Sequence, residues 1–388
     1  MSKGKLAFVP PRYGAEVIGG AEAVLREAAH GFAARGWDVE VLTTCALDSR
    51  TWDDHFAPGT SDVNGVPVTR FANERGRSDD FDEWSNSVLH APWAPMAAVR
   101  EWFAKQGPVN PGLVAAAAGS DADVVVVYPY LYLPMVDAVR SLGGRAVLHP
   151  AAHDEPSLQL RALRPVFTGA GGLVFQTEAE RALVAGSYPV AAVPQLVLGL
   201  GVEEQDGDPA AAPDRPYLLY VGRVDEGKGA RTLVDFFARY KARHPGPLAL
   251  VLAGPVVHRP DRHPDIVVTG PVDEATKWGL LRGATAFVNP SGYEAFSIVL
   301  MEAWTAGLPV VVNERCEATA EHCRRSGGGL WFDSYATFEV VLDRLLRDER
   351  LRRALSARGR AYVEREFSWP VLIGRYGAFL SRVAARAR

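Results

Sequence analysis

Short apolar runs alternate with longer amphipathic stretches along most of this 388-residue chain. Leu6 to Val9 is a run of strand length. A loop rich in proline and glycine follows, and then a stretch from about residue 20 to residue 35 with helical character, ended by Gly36. Residues 124–128, 146–148 and 173–175 are further apolar runs and residues 39–43 another strand, separated by segments long enough for crossover helices. That order predicts a parallel, doubly wound α/β sheet. Residues 73–95, which include Asp79-Asp80-Phe81-Asp82-Glu83-Trp84, show no clean period and read as a long insertion near a binding cleft or as a mobile loop.

Residues 203–216 are polar, carry prolines and lack periodicity, which marks them as the linker. A second alternating series follows, with strands at 217–221, 249–252, 266–269, 286–288 and 310–312 and helices near 231–243, 274–282 and 335–346. The expected organisation is a Rossmann-like domain over residues 1–202, a second over 217–370, and an amphipathic C-terminal helix over 371–388 that packs back on the first. Two such halves facing one another leave a deep ligand cleft between them.

Composition removes several function classes. A net charge of -4 gives no electrostatic case for nucleic acid. The N-terminal apolar run is too short for a signal-peptide core, and the longest run, 124–136, is interrupted by Pro129 and Pro134 and too short to span a bilayer. The expectation is a cytoplasmic protein, with peripheral contact to the inner face of a membrane left open. Cys45, Cys316 and Cys323 are odd in number and scattered, so no disulfide framework is expected; Cys316, His322 and Cys323 lack the paired spacing of a metal clip.

The densest chemistry lies in Pro290-Ser291-Gly292-Tyr293-Glu294-Ala295-Phe296-Ser297-Ile298, which runs on to Glu302 and to the Gly307-Leu308-Pro309 exit. A strand, a turn and a helix in that order place the backbone N–H groups of Ala295, Phe296, Ser297 and Ile298 at the carboxyl end of a sheet, where open α/β folds bind ligands. A helix N-terminus there favours a phosphate. Glu294 stays in the loop, while Glu302 is expected about two turns into the helix, within reach of a ribose beyond the phosphate.

Three other segments sit after predicted strands. Gly222-Arg223-Val224-Asp225-Glu226-Gly227-Lys228-Gly229 combines turn glycines with the cations Arg223 and Lys228, which suit a diphosphate without a metal; the spacing is not that of a P-loop. Gly19-Gly20 opens the first predicted helix and either admits a phosphate to the backbone or serves a tight turn. His149 and His153 flank the exit of another strand; His153 is placed to hydrogen-bond a sugar hydroxyl, and Asp154 reads equally as a helix cap. Asp121-Ala122-Asp123 has an acidic pattern used by metal-dependent sugar transferases, but it precedes its strand where a ligand site should follow one.

Together, Gly19-Gly20, the His149/His153 segment, Gly222-Arg223 with Lys228, and Glu294 with Glu302 resemble the family 4 retaining glycosyltransferases of GT-B fold, over nearly the whole chain and most strongly from 217 to 312. The resemblance implies transfer of a sugar from a nucleoside diphosphate sugar with retention, no metal and no other cofactor. It assigns the diphosphate to Arg223 and Lys228, the ribose hydroxyls to Glu302, the donor sugar hydroxyls to Glu294 and a phosphate approach to Gly20; for the family's sugar-binding histidine it favours His153, with His149 kept open. One departure stands out: the family's E-G-F-G is here Glu294-Ala295-Phe296-Ser297, so the donor pocket is expected to be shaped differently. The acceptor is open among sugars, lipid-linked glycans and natural products, as is the oligomeric state. A nucleotide-sugar epimerase, a phosphorylase and a non-catalytic sugar-nucleotide-binding protein are the competing readings.

Overall fold

The computed structural model describes residues 3–17, 20–208 and 212–388; Gly19 lies outside them. They form two compact units, Met1–Gly199 with Trp369–Arg388, and Leu200–Ser368.

The first unit is built on eight strands: β1 (Lys5–Val9), β2 (Asp38–Thr44), β3 (Gly59–Val63), β4 (Val66–Phe71), β5 (Val124–Val127), β6 (Ala146–Leu148), β7 (Gly172–Phe175) and β8 (Gln195–Val197). Their order across the sheet is β3-β4-β2-β1-β5-β6-β7-β8. All neighbours are parallel except the β3–β4 hairpin. β1 has a strand on each side, with Leu6 beside Val39 and Val124, which is why Leu6-Ala7-Phe8-Val9 is apolar throughout and 0 % exposed. The chain leaves β1 toward β2 and β4 and later returns to its other side through β5. The carboxyl ends of β1 and β5 therefore mark a topological switch point, where open sheets bind ligands.

Residues 73–95 are not without regular structure. They contain the helix Phe81–Leu89, which lays Phe81 and Val88 on the core and is tied to the helix Met96–Gln106 by Trp102 Nε1, which donates to Ser85 Oγ at 2.9 Å. The helix Trp369–Ala387 returns to the first unit, where the Tyr376 ring meets Phe32 at 5.4 Å.

The second unit carries six parallel strands: β9 (Tyr217–Val221), β10 (Ala249–Ala253), β11 (Ile266–Gly270), β12 (Ala286–Asn289), β13 (Val310–Asn313) and β14 (Gly329–Phe332), in the order β11-β10-β9-β12-β13-β14. Its switch point lies between β9 and β12. The described part of the expected linker is bonded to this unit: Glu204 pairs with Arg282 and Arg360, and Asp208 N–H donates to Ala275 O at 2.8 Å. The helix Ile298–Thr305, which follows β12, is wedged in place by Trp304, fully buried and donating to Gly328 O at 2.9 Å. Gly359, on the helix Glu349–Glu366, makes room for that indole, since a Cβ there would stand 2.0 Å from it.

Candidate functional site

At the second unit's switch point the loop after β9 (222–229) meets the loop after β12 (290–297). Gly229 makes the approach possible: its φ is 72°, and a Cβ would stand 2.5 Å from the Pro290 carbonyl oxygen. Asn289 staples the second loop at both ends, accepting Ser291 N–H at 3.0 Å and donating to Ser297 Oγ at 3.0 Å.

Arg223, Lys228 and Glu294 come together here. Lys228 Nζ lies 2.9 Å from Glu294 Oε1, so the pair bridges the two loops. Asp225 organises the first loop: one carboxylate oxygen accepts Lys228 N–H at 2.7 Å and the other pairs with Arg223 Nε. Tyr220 adds a hydrogen bond from its hydroxyl to Arg223 O at 2.6 Å. Asp225 has a signal in the sequence, since an aspartate three residues before the amide it caps is ordinary turn chemistry, but the expectation for this loop rested on its glycines and cations.

Glu302 is the fifth residue of its helix, about one turn in rather than two, because Ser297 adopts φ 70° and delays the start to Ile298. Its Oε1 lies 2.8 Å from Lys277 Nζ, which also meets Glu274 at 2.8 Å. Its Oε2 is buried and has no hydrogen-bond partner among the described residues. Burial raises the Glu302 pKa, and the Lys277 charge pulls it only part of the way back. Burial lowers that of Lys277, but Glu302 and Glu274 outweigh it and the net direction is up. Lys277 carries no signal in the sequence beyond an i,i+3 relation to Glu274.

Ser297 provides no side-chain cap, so it leaves the helix's first N–H groups to other partners. Ala295 and Ile298 are half-buried beside it. The Phe296 ring points into the core, 4.8 Å from His322 and 5.2 Å from Phe367, so ligand contact through this residue is confined to its backbone. His322 is completely buried and belongs to that aromatic cluster. Among the described residues no cluster of His, Cys, Asp and Glu is arranged to hold a metal ion.

In the first unit, Gly20 starts the helix Gly20–Ala33 after β1. His153 follows β6 with a side chain 37 % exposed, its Nδ1 3.4 Å from Glu155 Oε1, which in turn accepts the Tyr130 hydroxyl at 2.7 Å. His149 does not share that exposure. It is 6 % exposed, its Nε2 is 2.6 Å from the Tyr376 hydroxyl, and burial lowers its pKa to about 3, so a neutral imidazole anchors the C-terminal helix. Tyr376→Phe should therefore cost about 1–3 kcal/mol of stability, read as a lower denaturation midpoint, with nucleotide binding unchanged. Asp121 and Asp123 hold Lys5 and Arg388 at the amino end of β5, which removes them as ligand candidates.

Two family models match consecutive stretches: "Glycosyl transferase 4-like domain" over residues 19–201 and "Glycosyl transferases group 1" over 202–362. A glycogen synthase of Mycobacterium tuberculosis is 25% identical over 347 residues, 80% of this chain and 78% of that protein. A D-inositol 3-phosphate glycosyltransferase of Frankia alni is 27% identical over 381 residues, 87% of this chain and 88% of that protein. Among solved structures, Anabaena HepE in complex with UDP and glucose superposes with a TM-score of 0.68 at 14% identity, covering 97% of this chain and 99% of that one. Among the described residues, no helix is long and apolar enough to cross a membrane. With both switch-point sheets and both family matches in place, the chain is a glycosyltransferase of the GT-B fold.

Proposed function

We propose that this glycosyltransferase is of the retaining, family 4 type and moves a sugar from a nucleoside diphosphate sugar to an acceptor hydroxyl without a metal. The observation that carries the proposal is Glu302 Oε2, a buried carboxylate oxygen with no donor among the described residues. Such a group costs about 1–3 kcal/mol while unsatisfied, and a ribose hydroxyl is the donor that suits it. Arg223, Lys228 and the uncapped first turn at Ile298 supply positive charge and N–H groups for the diphosphate. Glu294 takes the donor sugar hydroxyls and His153 a further one.

The reaction follows from charge. As the bond from the anomeric carbon to the phosphate oxygen breaks, negative charge gathers on the diphosphate and positive character on the carbon. Arg223 and Lys228 stabilise the first. Glu294 and Glu302 are each paired with a lysine, and neither is assigned a nucleophilic role. The acceptor oxygen attacks from the face the diphosphate leaves, and its proton passes to the departing phosphate oxygen.

UDP is the first ligand to try, since HepE was solved with it. In the presence of a chelator, the matching nucleoside diphosphate should stabilise the protein by about 2.7 kcal/mol at a hundredfold excess over Kd, read as a rise in melting temperature against GDP, ADP, dTDP and CDP. No shift with any of the five removes the donor site as drawn. Glycogen and D-inositol 3-phosphate belong in the acceptor panel because of what the relatives are named for. An inverted anomeric product overturns retention, and donor consumption without any acceptor points to an epimerase.

A further inference from the structure

The loop that carries His153 is built around a buried carboxylate to which the reaction above gives no role. Glu180 lies in the first turn of the helix Glu178–Ser187, where Thr177 Oγ1 accepts its N–H at 3.0 Å. The residue is 2 % exposed. One carboxylate oxygen accepts Gln176 N–H at 2.6 Å, at the exit of β7. The other accepts Ala152 N–H at 2.8 Å, in the loop that leaves β6. Ala151 N–H adds a further bond, and the His153 imidazole and Tyr128 hydroxyl are the titratable groups that act on this carboxylate or feel its charge.

A carboxylate is an expensive way to fill a core position, since its desolvation must be offset by hydrogen bonds. Here those bonds come from two different loops, which an apolar side chain could not join. They also flank a strained residue: Ala151 holds φ 54°, in the left-handed region that alanine seldom adopts and that persists only where the surroundings over-determine it. The ring of His153 is oriented from its other side by Glu155, through the 3.4 Å approach of its Nδ1.

We propose that Glu180 is a positioning residue for glycosyl transfer, holding residues 151–153 in the one backbone geometry that presents His153 to the donor sugar. This rests on the reading of His153 as a sugar contact. In Glu180→Gln one carboxylate oxygen becomes an NH2 group and confronts the N–H of Ala152 or of Gln176 instead of accepting from it, so the clamp between the two loops loses one of its sides.

The test is a double-mutant cycle on the full chain, with kcat, donor KM, melting temperature and stabilisation by UDP measured for Glu180→Gln, His153→Ala and the double variant. Glu180→Gln should lower kcat about tenfold, with donor KM and UDP stabilisation unchanged, and the double variant should be no slower than His153→Ala alone. A further tenfold loss in the double variant shows that Glu180 acts elsewhere and overturns the proposal. Wild-type kcat in Glu180→Gln beside a slow His153→Ala overturns it while leaving the His153 reading intact. Full activity in His153→Ala removes that reading and the route through it. If Glu180→Gln does not fold, Glu180→Asp, which keeps the charge but is one methylene too short to span both N–H groups, runs the same cycle with the same outcomes.

Discussion

Arg223→Ala should lower turnover by about 10²–10³ while leaving the melting temperature almost unchanged. The two halves of that expectation have different causes. The Arg223 side chain is 54 % exposed, and its partner Asp225 keeps the Lys228 N–H when the guanidinium is removed, so the pair contributes about 0–1 kcal/mol to stability. Its proposed worth appears only as the diphosphate leaves, when a fixed guanidinium meets charge that is absent from the free enzyme. Losing one such donor costs about 2.7–4 kcal/mol of transition-state stabilisation. Arg223→Lys keeps the charge but not the planar fork, and should recover part of the loss. The measurement is kcat beside a thermal melt for each variant; wild-type turnover in Arg223→Ala removes the residue from the mechanism.

Most of the architecture was legible because parallel sheets write themselves as apolar runs. The runs at 217–221, 249–252 and 310–312 became β9, β10 and β13, with the central ones buried on both faces. The β3–β4 hairpin was missed although its turn is marked by Asn64-Gly65, both with positive φ as a two-residue hairpin turn requires. Its outer strand is exposed and polar, Gly-Thr-Ser-Asp-Val, so a search for apolar runs passes over it. Residues 73–95 defeated periodicity for a related reason: Phe81 and Val88 bury seven residues apart, and one buried position per two turns is too sparse a stripe to read.

The candidate site was legible residue by residue but not in its pairings. Arg223, Lys228 and Glu294 sit where a strand–loop–helix reading puts them, yet nothing local to residue 228 or 294 says that the two side chains form an ion pair across 66 residues. His149 and His153 look alike in sequence. A packing partner 227 residues away makes the first structural, and partners of that kind have no local signature.

The second large effect belongs to another such partner. Lys277→Met should cost about 3–5 kcal/mol of stability, a substantial part of the 5–15 kcal/mol typical of a folded domain. Lys277 and Glu302 are 13 % and 11 % exposed in their side chains, so removing the cation strands a carboxylate that water cannot reach. The deficit should depend on pH with a definite sign. Burial already raises the Glu302 pKa, and without Lys277 it rises further. A group raised in the folded state contributes stability at pH values below its unfolded pKa and loses it as pH rises through the folded one. The variant should therefore fall furthest below wild type at pH 8 and approach it near pH 5. Pairing the change with Glu302→Leu removes the stranded charge as well and should restore most of the melting temperature, since an apolar pair of similar volume is often as stable as a buried ion pair. The same double variant should fail to bind the nucleoside diphosphate, because the oxygen proposed to receive the ribose is gone. Equal melting of Lys277→Met and wild type at both pH values would show that Lys277 does not hold Glu302, and full nucleotide binding by the double variant would take Glu302 out of the donor site.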